Sequence, residues 1–592
     1  MSCNSLIWDK SPGPRLRCMA FIPQSWTRRK GARQSCTILR HDILLLLPLH
    51  KAINASFSSK IHIHPLTTHK MKLSIIPTLA SMGLLANLIS GASVNNVRAL
   101  QPRRKASMLI DPPALPDLPT ISAAKAAASV VGLNLSNIQG DILIGMKKNK
   151  ELFYFFGIAK PTTFKKKLKS DILPLITTTT QLLNVSAQPT TALNIAFSHT
   201  GLLVLGIKDP LGDTAFAGGQ AADNGTLGDP GTKNWVPQFV GTSIHGVILL
   251  ASDSVDNINT QLYNVQAALG SSIKELYTLQ AAARPGSEQG HEHFGFLDGI
   301  SNPAVQGFQS PLPGQAVVST GEIIVGENGD SVTRPSWAKG GSFLVFRQLK
   351  QLVPEFNKFL TDNPIRAHGL TAQQGSDLLG ARMVGRWKSV RSSEFSGTPL
   401  SDLITQQGAP VFLAPLIDDP ALGANPTRNN NFTYAGPGQT VASSTDQTKC
   451  PFSAHIRKTR PRADLGLPES QSSDHHIVRG GIPYGPEVTS GEASSHKTST
   501  ERGLAFVAYQ SNIENGFQFL QRLWADNPRF VHGNVGFDPI IGANKGASRV
   551  VNGLDPTNSS RPITLTTDFV VSRGGEYFFS PSLSAIAHTL SV

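Results

Sequence analysis

Short apolar runs recur along most of the chain, separated by polar and turn-forming residues. They are rich in β-branched and aromatic side chains, which favours strands. The predicted strands are Phe153–Ile158, Leu193–Phe197, Leu202–Ile207, Val247–Ala251, Phe343–Phe346, Ala505–Tyr509 and Phe569–Val571. Helical spacing is found at Leu352–Leu360 and Gly516–Trp524, and the Gln- and Ala-rich stretch Ser272–Ala283 is also predicted to be a helix. Strands and helices that mix without strict alternation predict an α+β fold with antiparallel sheets and peripheral helices.

The length of the chain predicts more than one domain. Residues 93–127 are predicted to form an extended N-terminal segment that includes a propeptide, because 109–127 are rich in Pro and Ala. The remaining stretch of about 470 residues exceeds what one hydrophobic core usually holds. We therefore predict an N-terminal domain at 128–320 and a C-terminal domain at 321–592.

A secretory leader is predicted well inside the chain. Met71 and Lys72 precede the apolar run Leu73–Ile89, which is followed by small residues. A charged start, an apolar centre and small residues at a cleavage site are typical of a signal peptide. We therefore predict a signal peptide at 71–92 and an extracellular mature protein. Residues 1–70 are then an upstream extension of the gene model.

The net charge of the chain depends on this N-terminal part. The 54 Lys and Arg outnumber the 40 Asp and Glu, for a formal charge of +14. All of that excess lies before residue 109, so the basic pI does not indicate a nucleic-acid partner. The basic cluster Arg103-Arg104-Lys105 predicts a processing site before the mature start. No later stretch is long and apolar enough to span a bilayer, so no membrane partner is expected.

Cysteines and glycosylation motifs give little support to secretion. Cys3, Cys18 and Cys36 precede Met71, which leaves Cys450 without a partner for an intrachain disulfide. In the predicted mature chain, sequons for N-glycosylation begin at Asn134, Asn184, Asn224, Asn431 and Asn558. Their number is about what the composition gives by chance, so the signal peptide alone predicts a secreted glycoprotein.

One carboxylate lies between two glycines in the stretch His291–Pro303. Asp298 has the apolar neighbours Phe296 and Ile300. The glycines permit a backbone close to a ligand, and apolar surroundings would raise the pKa of Asp298 and suit it to proton transfer. An ordinary Asp-Gly turn explains the same residues, and for an isolated motif it is the commoner outcome.

Asp298 belongs to the first of three motifs that are spread over the chain. They are Gly295–Gly299 (GFLDG), Cys450–Arg462 and Arg479–Glu487. Together they resemble the signatures of the dye-decolourising haem peroxidases, in particular the secreted fungal branch. Further similar stretches are Asn137–Met146, Gly341–Gln348, Ala381–Trp387 and Arg573–Pro581. The resemblance implies two ferredoxin-like halves with haem between them, although no repeat is visible in the sequence.

The resemblance implies one haem b per chain, with His455 as the axial ligand of the iron. Basic residues follow His455 at once, and Arg457 and Arg462 would neutralise the haem propionates. Asp538 occupies the position of the carboxylate that orients the ligand, although an Asp-Pro turn explains it equally well. Cys450 is a competing ligand, because a thiolate before proline also binds haem; we expect it to be buried packing instead.

On the opposite side of the haem, the resemblance assigns the catalytic roles to Asp298 and Arg479. Asp298 would move the peroxide proton, and Arg479 would stabilise the charge on the departing oxygen. A structural ion pair is the other explanation for Arg479. Leu504 and Phe506 match apolar residues that narrow this pocket, although an ordinary strand core explains them equally well.

Bulky dyes do not fit such a narrow pocket, so we expect them to be oxidised at the protein surface. The resemblance points to Tyr484 and Trp524 as radical relays for surface electron transfer. A position in the core explains Trp524 equally well, because it lies on an apolar helical face. The implied function is a secreted peroxidase that reduces hydrogen peroxide and oxidises dyes, phenols and other bulky aromatic donors in one-electron steps.

Two other functions stay open on the sequence alone. A non-catalytic haem-binding secreted glycoprotein would keep His455 and tolerate loss of Asp298. A haem-independent hydrolase would use Asp298 with a second carboxylate, such as Glu292 or Glu487. Dependence of activity on haem distinguishes the three.

Overall fold

The computed structural model describes residues 118–146, 149–388, 408–467 and 474–592. The predicted extension at 1–70, the signal peptide at 71–92 and the processing site Arg103–Lys105 lie outside the described residues. The end of the segment predicted to be extended is helical instead. Helix α1, Ile121–Val131, begins there because its Ala-rich sequence favours a helix and because Thr120 caps it, accepting a hydrogen bond from the N–H of Ala123 (3.2 Å).

The strands are β1 Lys150–Ile158, β2 Ala192–Phe197, β3 Gly246–Ser252, β4 Ile273–Ala282, β5 Ala304–Val305, β6 Val317–Val318, β7 Ser342–Gln351, β8 Val478–Arg479, β9 Ile482–Tyr484, β10 Gly503–Gln510, β11 Arg549–Val551, β12 Ile563–Leu565 and β13 Val570–Ser580. After α1, the α-helices are α2 Gly140–Ile144, α3 Pro161–Lys167, α4 Thr179–Leu183, α5 His199–Val204, α6 Thr214–Gly218, α7 Gln220–Asp223, α8 Val255–Leu269, α9 Thr320–Ile323, α10 Val353–Asp362, α11 Ala372–Val384, α12 Pro420–Gly423, α13 His455–Thr459, α14 Ser490–Ser495 and α15 Leu583–Ala585. Short π-helical turns lie at Leu168–Ile172, Glu514–Gln518, Leu520–Ala525 and Ile586–Leu590.

Within the described residues, nine strands form one antiparallel sheet that closes into a barrel. Its order is β7-β13-β2-β3-β1-β4-β9-β10, and β10 pairs back to β7. The short strand β8 pairs with the same edge of β10 as β9 does. Closure leaves the long strands of the barrel without a free edge, which removes a site for pairing with other chains.

The barrel contains the same strand order twice. The first half is ordered β2-β3-β1-β4, and the second half is ordered β9-β10-β7-β13. In each half the first strand lies between the third and the fourth, as in a ferredoxin-like unit. The halves join where Phe579 pairs with Phe197 and where Ala281 pairs with Tyr484. The α+β class and the two ferredoxin-like halves are confirmed, and the exact boundary between the two domains stays a prediction.

Aromatic side chains fill the inside of the barrel. The ring of Phe155 on β1 lies 4.9 Å from that of Phe346 on β7, although these strands are not neighbours in the sheet. Val507 on β10 is buried in the same cluster. Because side chains alternate along a strand, Leu504 and Phe506 of β10 point to the outer face. That outer face of β7 and β10 carries the candidate site.

Most of the predicted elements are present, with two exceptions. Ser272–Ala283 is not a helix but contains strand β4, in which buried Leu279 and Ala281 flank exposed Gln280. The strand pairs with β1 along its length, and this distant pairing outweighs the helix propensity of Ala, Leu and Gln.

The second exception is Leu202–Ile207, which was predicted to be a strand. Its first half, Leu202–Val204, lies in helix α5, which begins after Ser198. The Ser198 hydroxyl accepts a hydrogen bond from the N–H of Gly201 (3.0 Å), and this N-cap starts the helix. None of the helices in the described ranges has both the length and the apolar character needed to cross a bilayer.

Candidate functional site

A cavity of about 600 Å³ lies against the outer face of β7 and β10. Its other walls are the turn at 294–301, the start of α13 at His455, and the segment 540–543. Its volume and largely apolar walls are in the range of cofactor-binding sites. Residues from all three sequence motifs therefore line one cavity.

His455 lies at the first position of α13 and on the cavity wall. Its Nδ1–H donates a hydrogen bond to Oδ2 of Asp538 at 2.8 Å. Asp538 is fully buried, and its Oδ1 accepts hydrogen bonds from the N–H groups of Ile540 (2.8 Å) and Ile541 (3.0 Å). Burial raises the pKa of Asp538, but His455 and these N–H groups outweigh it and hold the pKa below its usual value. The carboxylate thus stays ionised and fixes which ring nitrogen carries the proton.

Asp298 and Arg479 meet at the same cavity. Oδ1 of Asp298 accepts hydrogen bonds from Nη1 of Arg479 and from the N–H of Gly299 (2.6 Å for the latter). Both side chains are a little over a quarter exposed, at 29% and 28%. An ion pair at a cavity wall can act on a ligand that enters the cavity.

The prediction of a raised pKa for Asp298 is wrong. Burial does raise the pKa of this carboxyl, as its apolar neighbours indicated. The charge and hydrogen bond of Arg479 and the N–H of Gly299 together exceed that effect, so the pKa lies below its usual value. Asp298 is therefore ionised even in mildly acidic solution.

Asn302 was missed by sequence reasoning and holds Arg479 in place. Its Oδ1 accepts a hydrogen bond from the backbone N–H of Arg479 (3.1 Å), and its Nδ2 donates one to the backbone O of Arg479 (2.9 Å). This pair of hydrogen bonds ties the first motif to the third. The available signal was the position of Asn302 just after GFLDG, but its partner is distant in the sequence.

Glu292 supports the GFLDG turn and is not a second catalytic carboxylate. Its two oxygens accept hydrogen bonds from the N–H groups of Phe294 and Phe296, both at 2.8 Å. Nε2 of Gln351 donates a third one at 2.5 Å. Burial raises the pKa of Glu292, and these three bonds oppose the rise. Gly295, with φ of 96°, lets the backbone curl around the carboxylate.

The two predicted propionate partners lie in different places. Arg462 lines the cavity and donates to Oδ1 of Asn430 at 2.6 Å. Arg457 is not among the residues that line the cavity: its buried guanidinium pairs with Asp464 through two hydrogen bonds of 2.6 and 2.7 Å. It also lies over the ring of Phe452, 4.3 Å from the centroid. Three cavity-lining arginines were not predicted as site residues, namely Arg347, Arg386 and Arg460.

Leu504 and Phe506 lie on the cavity wall, on the outer face of β10. Phe506 also packs on Phe517, with 5.7 Å between ring centroids. Both side chains are half-buried. The two explanations from the sequence, narrowing of the pocket and packing within the protein, are therefore compatible.

Tyr484 and Trp524 are not at the surface, as each is only 4% exposed. Tyr484 lies on strand β9 at the junction of the two halves, and its hydroxyl donates to Glu501 at 3.2 Å. Trp524 stacks on Phe530 at 4.9 Å and meets the edge of His475 at 5.4 Å. The apolar helical face of Trp524 explains its burial.

Cys450 is buried, as expected, and is not among the residues that line the cavity. Burial raises the pKa of its thiol to about 11. The thiol stays protonated at neutral pH, and a thiol is a poor metal ligand.

Comparison with known families places most of the described chain in one group. Residues 137–285 match the model of the DyP dimeric alpha+beta barrel domain. Residues 290–530 match the model of the C-terminal part of Dyp-type peroxidases. Together the two models cover all three motifs.

Individual proteins are similar over nearly their full length. The chain is 56% identical over 540 residues to Peroxidase 2 of Mycetinis scorodonius, which spans 88% of this chain and 100% of that protein. It is 54% identical to a dye-decolorizing peroxidase of Auricularia auricula-judae, with the same coverage. A crystal structure of a fungal DyP-type peroxidase from Auricularia auricula-judae superposes with a TM-score of 0.72 at 56% identity and covers 78% of this chain and 99% of that one.

Proposed function

The chain belongs to the dye-decolourising peroxidase family and is a haem peroxidase that oxidises dyes, and we propose that His455 binds the haem iron. The position of its ring carries this proposal. Asp538 holds Nδ1–H, and among the described residues no group forms a hydrogen bond with Nε2. A neutral imidazole in this state presents the lone pair of Nε2 to the cavity.

We propose that the cavity holds one haem b per chain. Its apolar residues, such as Leu349, Leu504 and Ile540, suit the faces and edges of a flat macrocycle. Arg462 and the three further cavity-lining arginines would pair with the two propionates. Arg457 does not line the cavity, but its positive charge would also favour binding of the propionates. When bound, haem supplies the redox-active iron that exchanges electrons with peroxide.

Asp298 would act as the proton carrier of the peroxide reaction. Its Oδ1 is held by Arg479 and Gly299, whereas Oδ2 forms no hydrogen bond with the described residues. We assign Oδ2 as the atom that takes a proton from one peroxide oxygen and returns it to the other. The oxygen that receives the proton would leave as water, and haem, when bound, would supply the two electrons that the cleavage of the O–O bond requires. A carboxyl with a lowered pKa is ready to accept this proton at acid pH.

Arg479 would stabilise the negative charge that develops as the O–O bond breaks. Asp298 accepts a hydrogen bond from Nη1 of the Arg479 guanidinium, and Asn302 holds the Arg479 backbone. A donor that is already in position needs no reorganisation during the reaction, which is the basis of electrostatic catalysis. Leu504 and Phe506 would limit this side of the cavity to small molecules.

Dyes, phenols and other bulky aromatic donors would deliver single electrons from outside the cavity. Trp524 is separated from the cavity by one residue, because its ring contacts His475 and His475 lines the cavity. Tyr484 is the second proposed relay. Both residues are buried, so the donor would contact neighbouring surface groups rather than these rings.

Secretion and glycosylation are also proposed. The mature chain would start after Arg103-Arg104-Lys105 and carry almost no net charge. Of the five sequon asparagines, only Asn224 is not exposed. N-terminal sequencing of protein from the culture medium tests the leader, and residues 1–70 on that protein would refute it.

A visible absorption spectrum of the purified protein tests the haem assignment. We expect a Soret band that changes on addition of peroxide and returns when a dye is added. A protein without a Soret band would refute it. The haem-independent hydrolase is not supported, since its candidate carboxylates are engaged elsewhere: Glu292 binds backbone N–H groups and Glu487 pairs with Arg284 at 2.7 Å.

A further inference from the structure

A second, smaller cavity adjoins the Asp298–Arg479 pair. It has a volume of about 160 Å³, and Asp298 and Arg479 line both cavities. Its remaining polar side chains include Glu151, Asn302 and Gln315. At ~30 Å³ per molecule in liquid water, this volume accommodates about five water molecules. Its polar lining is suited to hold them.

Glu151 is an unusual residue to line such a cavity. It lies on β1 and is only 5% exposed. Among the described residues its carboxyl group has no hydrogen-bond or ion-pair partner. Burial of a carboxylate without a partner costs folding free energy. Glu151 on a barrel strand is therefore a candidate for a functional role.

The surroundings of Glu151 favour its protonated form. Asp141 lies nearby on α2, and its carboxyl accepts a hydrogen bond from the hydroxyl of Tyr509. Burial raises the pKa of Glu151 well above its usual value, and the charge of Asp141 raises it further. Burial raises the pKa of Asp141 to about 7, against the lowering effect of Tyr509. The other titratable groups that line the small cavity are Asp298, Arg479, Glu292 and His291.

The overall reaction requires a source of protons. Reduction of one hydrogen peroxide to two water molecules takes up two electrons and two protons. If two donors outside the cavity each give one electron, as proposed above, they leave their protons outside. Two protons per turnover must then reach the peroxide side of the haem cavity by another route.

We propose that Glu151 is the proton-delivering residue for this side of the cavity. It passes a proton through water in the small cavity to Oδ2 of Asp298 and is reprotonated from bulk solvent, with which the cavity water exchanges. This inference rests on the proposed oxidation of donors outside the haem cavity. Glu151 acts through Asp298 and is a positioning and relay residue rather than a catalytic one.

The holoenzyme with Glu151→Gln tests the proposal, because glutamine keeps the shape but cannot exchange a proton. Stopped-flow spectroscopy separates the reaction with peroxide from the return to the resting state. We expect the peroxide reaction to stay within about twofold of wild type, whereas the return with a bulky dye slows by ~10²-fold, the scale of a lost proton transfer. Glu275→Gln, at an exposed site on β4, is the matched control and should change neither step.

Infrared spectroscopy provides a readout that does not depend on turnover. The wild-type spectrum should contain a protonated-carboxyl band that Glu151→Gln lacks. In Asp141→Asn the band should titrate at lower pH, because the neighbouring charge is removed. An unchanged infrared spectrum in Glu151→Gln, or equal slowing of both steps, would overturn the proposal. A wild-type protein without a Soret response to peroxide would instead refute the haem assignment, and this inference with it.

Discussion

Asp298 and Arg479 lie 181 positions apart in the sequence, and their side chains form an ion pair at the wall of the haem cavity. The pair joins the segment between β4 and β5 to strand β8. Its main electrostatic effect is on the carboxyl, since the arginine lowers a pKa that burial alone would raise. We therefore expect the working pH range of the peroxide reaction to depend on Arg479.

Asp298→Asn should slow the peroxide reaction by ~10²–10⁴-fold, because the variant keeps the shape of the carboxylate but loses the base. Its remaining rate should increase with pH, because more of the peroxide is itself ionised. Stopped-flow measurement across pH gives both quantities. A rate within a few-fold of wild type would mean that Arg479 is the main catalyst.

Arg479→Leu should shift the acid limit of the same reaction to higher pH. The base form of Asp298 is present above its pKa and is lost as the pH falls through it. In wild type that pKa is below the usual ~3.9, so the reaction persists in acid. Without the arginine, burial dominates and the pKa rises. An acid limb at the wild-type position would show that Arg479 does not control the ionisation of Asp298.

Asn302→Ala should slow the peroxide reaction, although it leaves the side chains of Asp298 and Arg479 unchanged. The substitution removes both hydrogen bonds to the backbone of Arg479 and should destabilise the fold by about 1–3 kcal/mol if those groups stay unsatisfied. We expect a lower rate with an unchanged Soret band. Asn302→Asp is the matched comparison, because it keeps the acceptor for the N–H of Arg479 and should restore part of the rate. Equal rates in Asn302→Ala and wild type would contradict the positioning role.

His455→Ala should lose haem or hold it weakly, whereas Cys450→Ser should retain it. The reason is that Nε2 of His455 lies at the cavity, while the Cys450 thiol is protonated and is not among the residues that line the cavity. Haem content and the Soret spectrum of both purified variants check this. Loss of haem in Cys450→Ser alone would reverse the ligand assignment.

Trp524→Phe should reduce turnover of a bulky dye while the peroxide reaction stays close to wild type. Phenylalanine preserves most of the packing on Phe530 but is much harder to oxidise. Trp337→Phe serves as a control, because Trp337 packs on Phe579 and is not among the residues that line the cavity. Equal losses for dyes and for small donors would indicate a packing defect. Tyr484→Phe tests the second relay in the same way.

Local patterns in the sequence were sufficient for much of the fold. Local patterns placed most of the predicted strands and the helix at Leu352–Leu360 correctly, because alternation and period depend on neighbouring residues only. They failed at Ser272–Ala283, where the strand depends on pairing with β1, more than a hundred residues earlier. The repeated strand order was also invisible, since two halves can share a topology without sharing a sequence.

The motifs identified the main residues of the site, but they did not show how those residues are arranged in space. His455, Asp298 and Arg479 were singled out because their motifs resemble those of the family. Only the tertiary structure placed Arg457 behind the cavity wall and Asn302 against the backbone of Arg479. Only the fold brought Glu151 of β1 to the small cavity at Asp298. A sequence determines which charges and hydrogen-bonding groups are available. Their distances and exposure to water decide which group is ionised, and both arise when distant segments pack together.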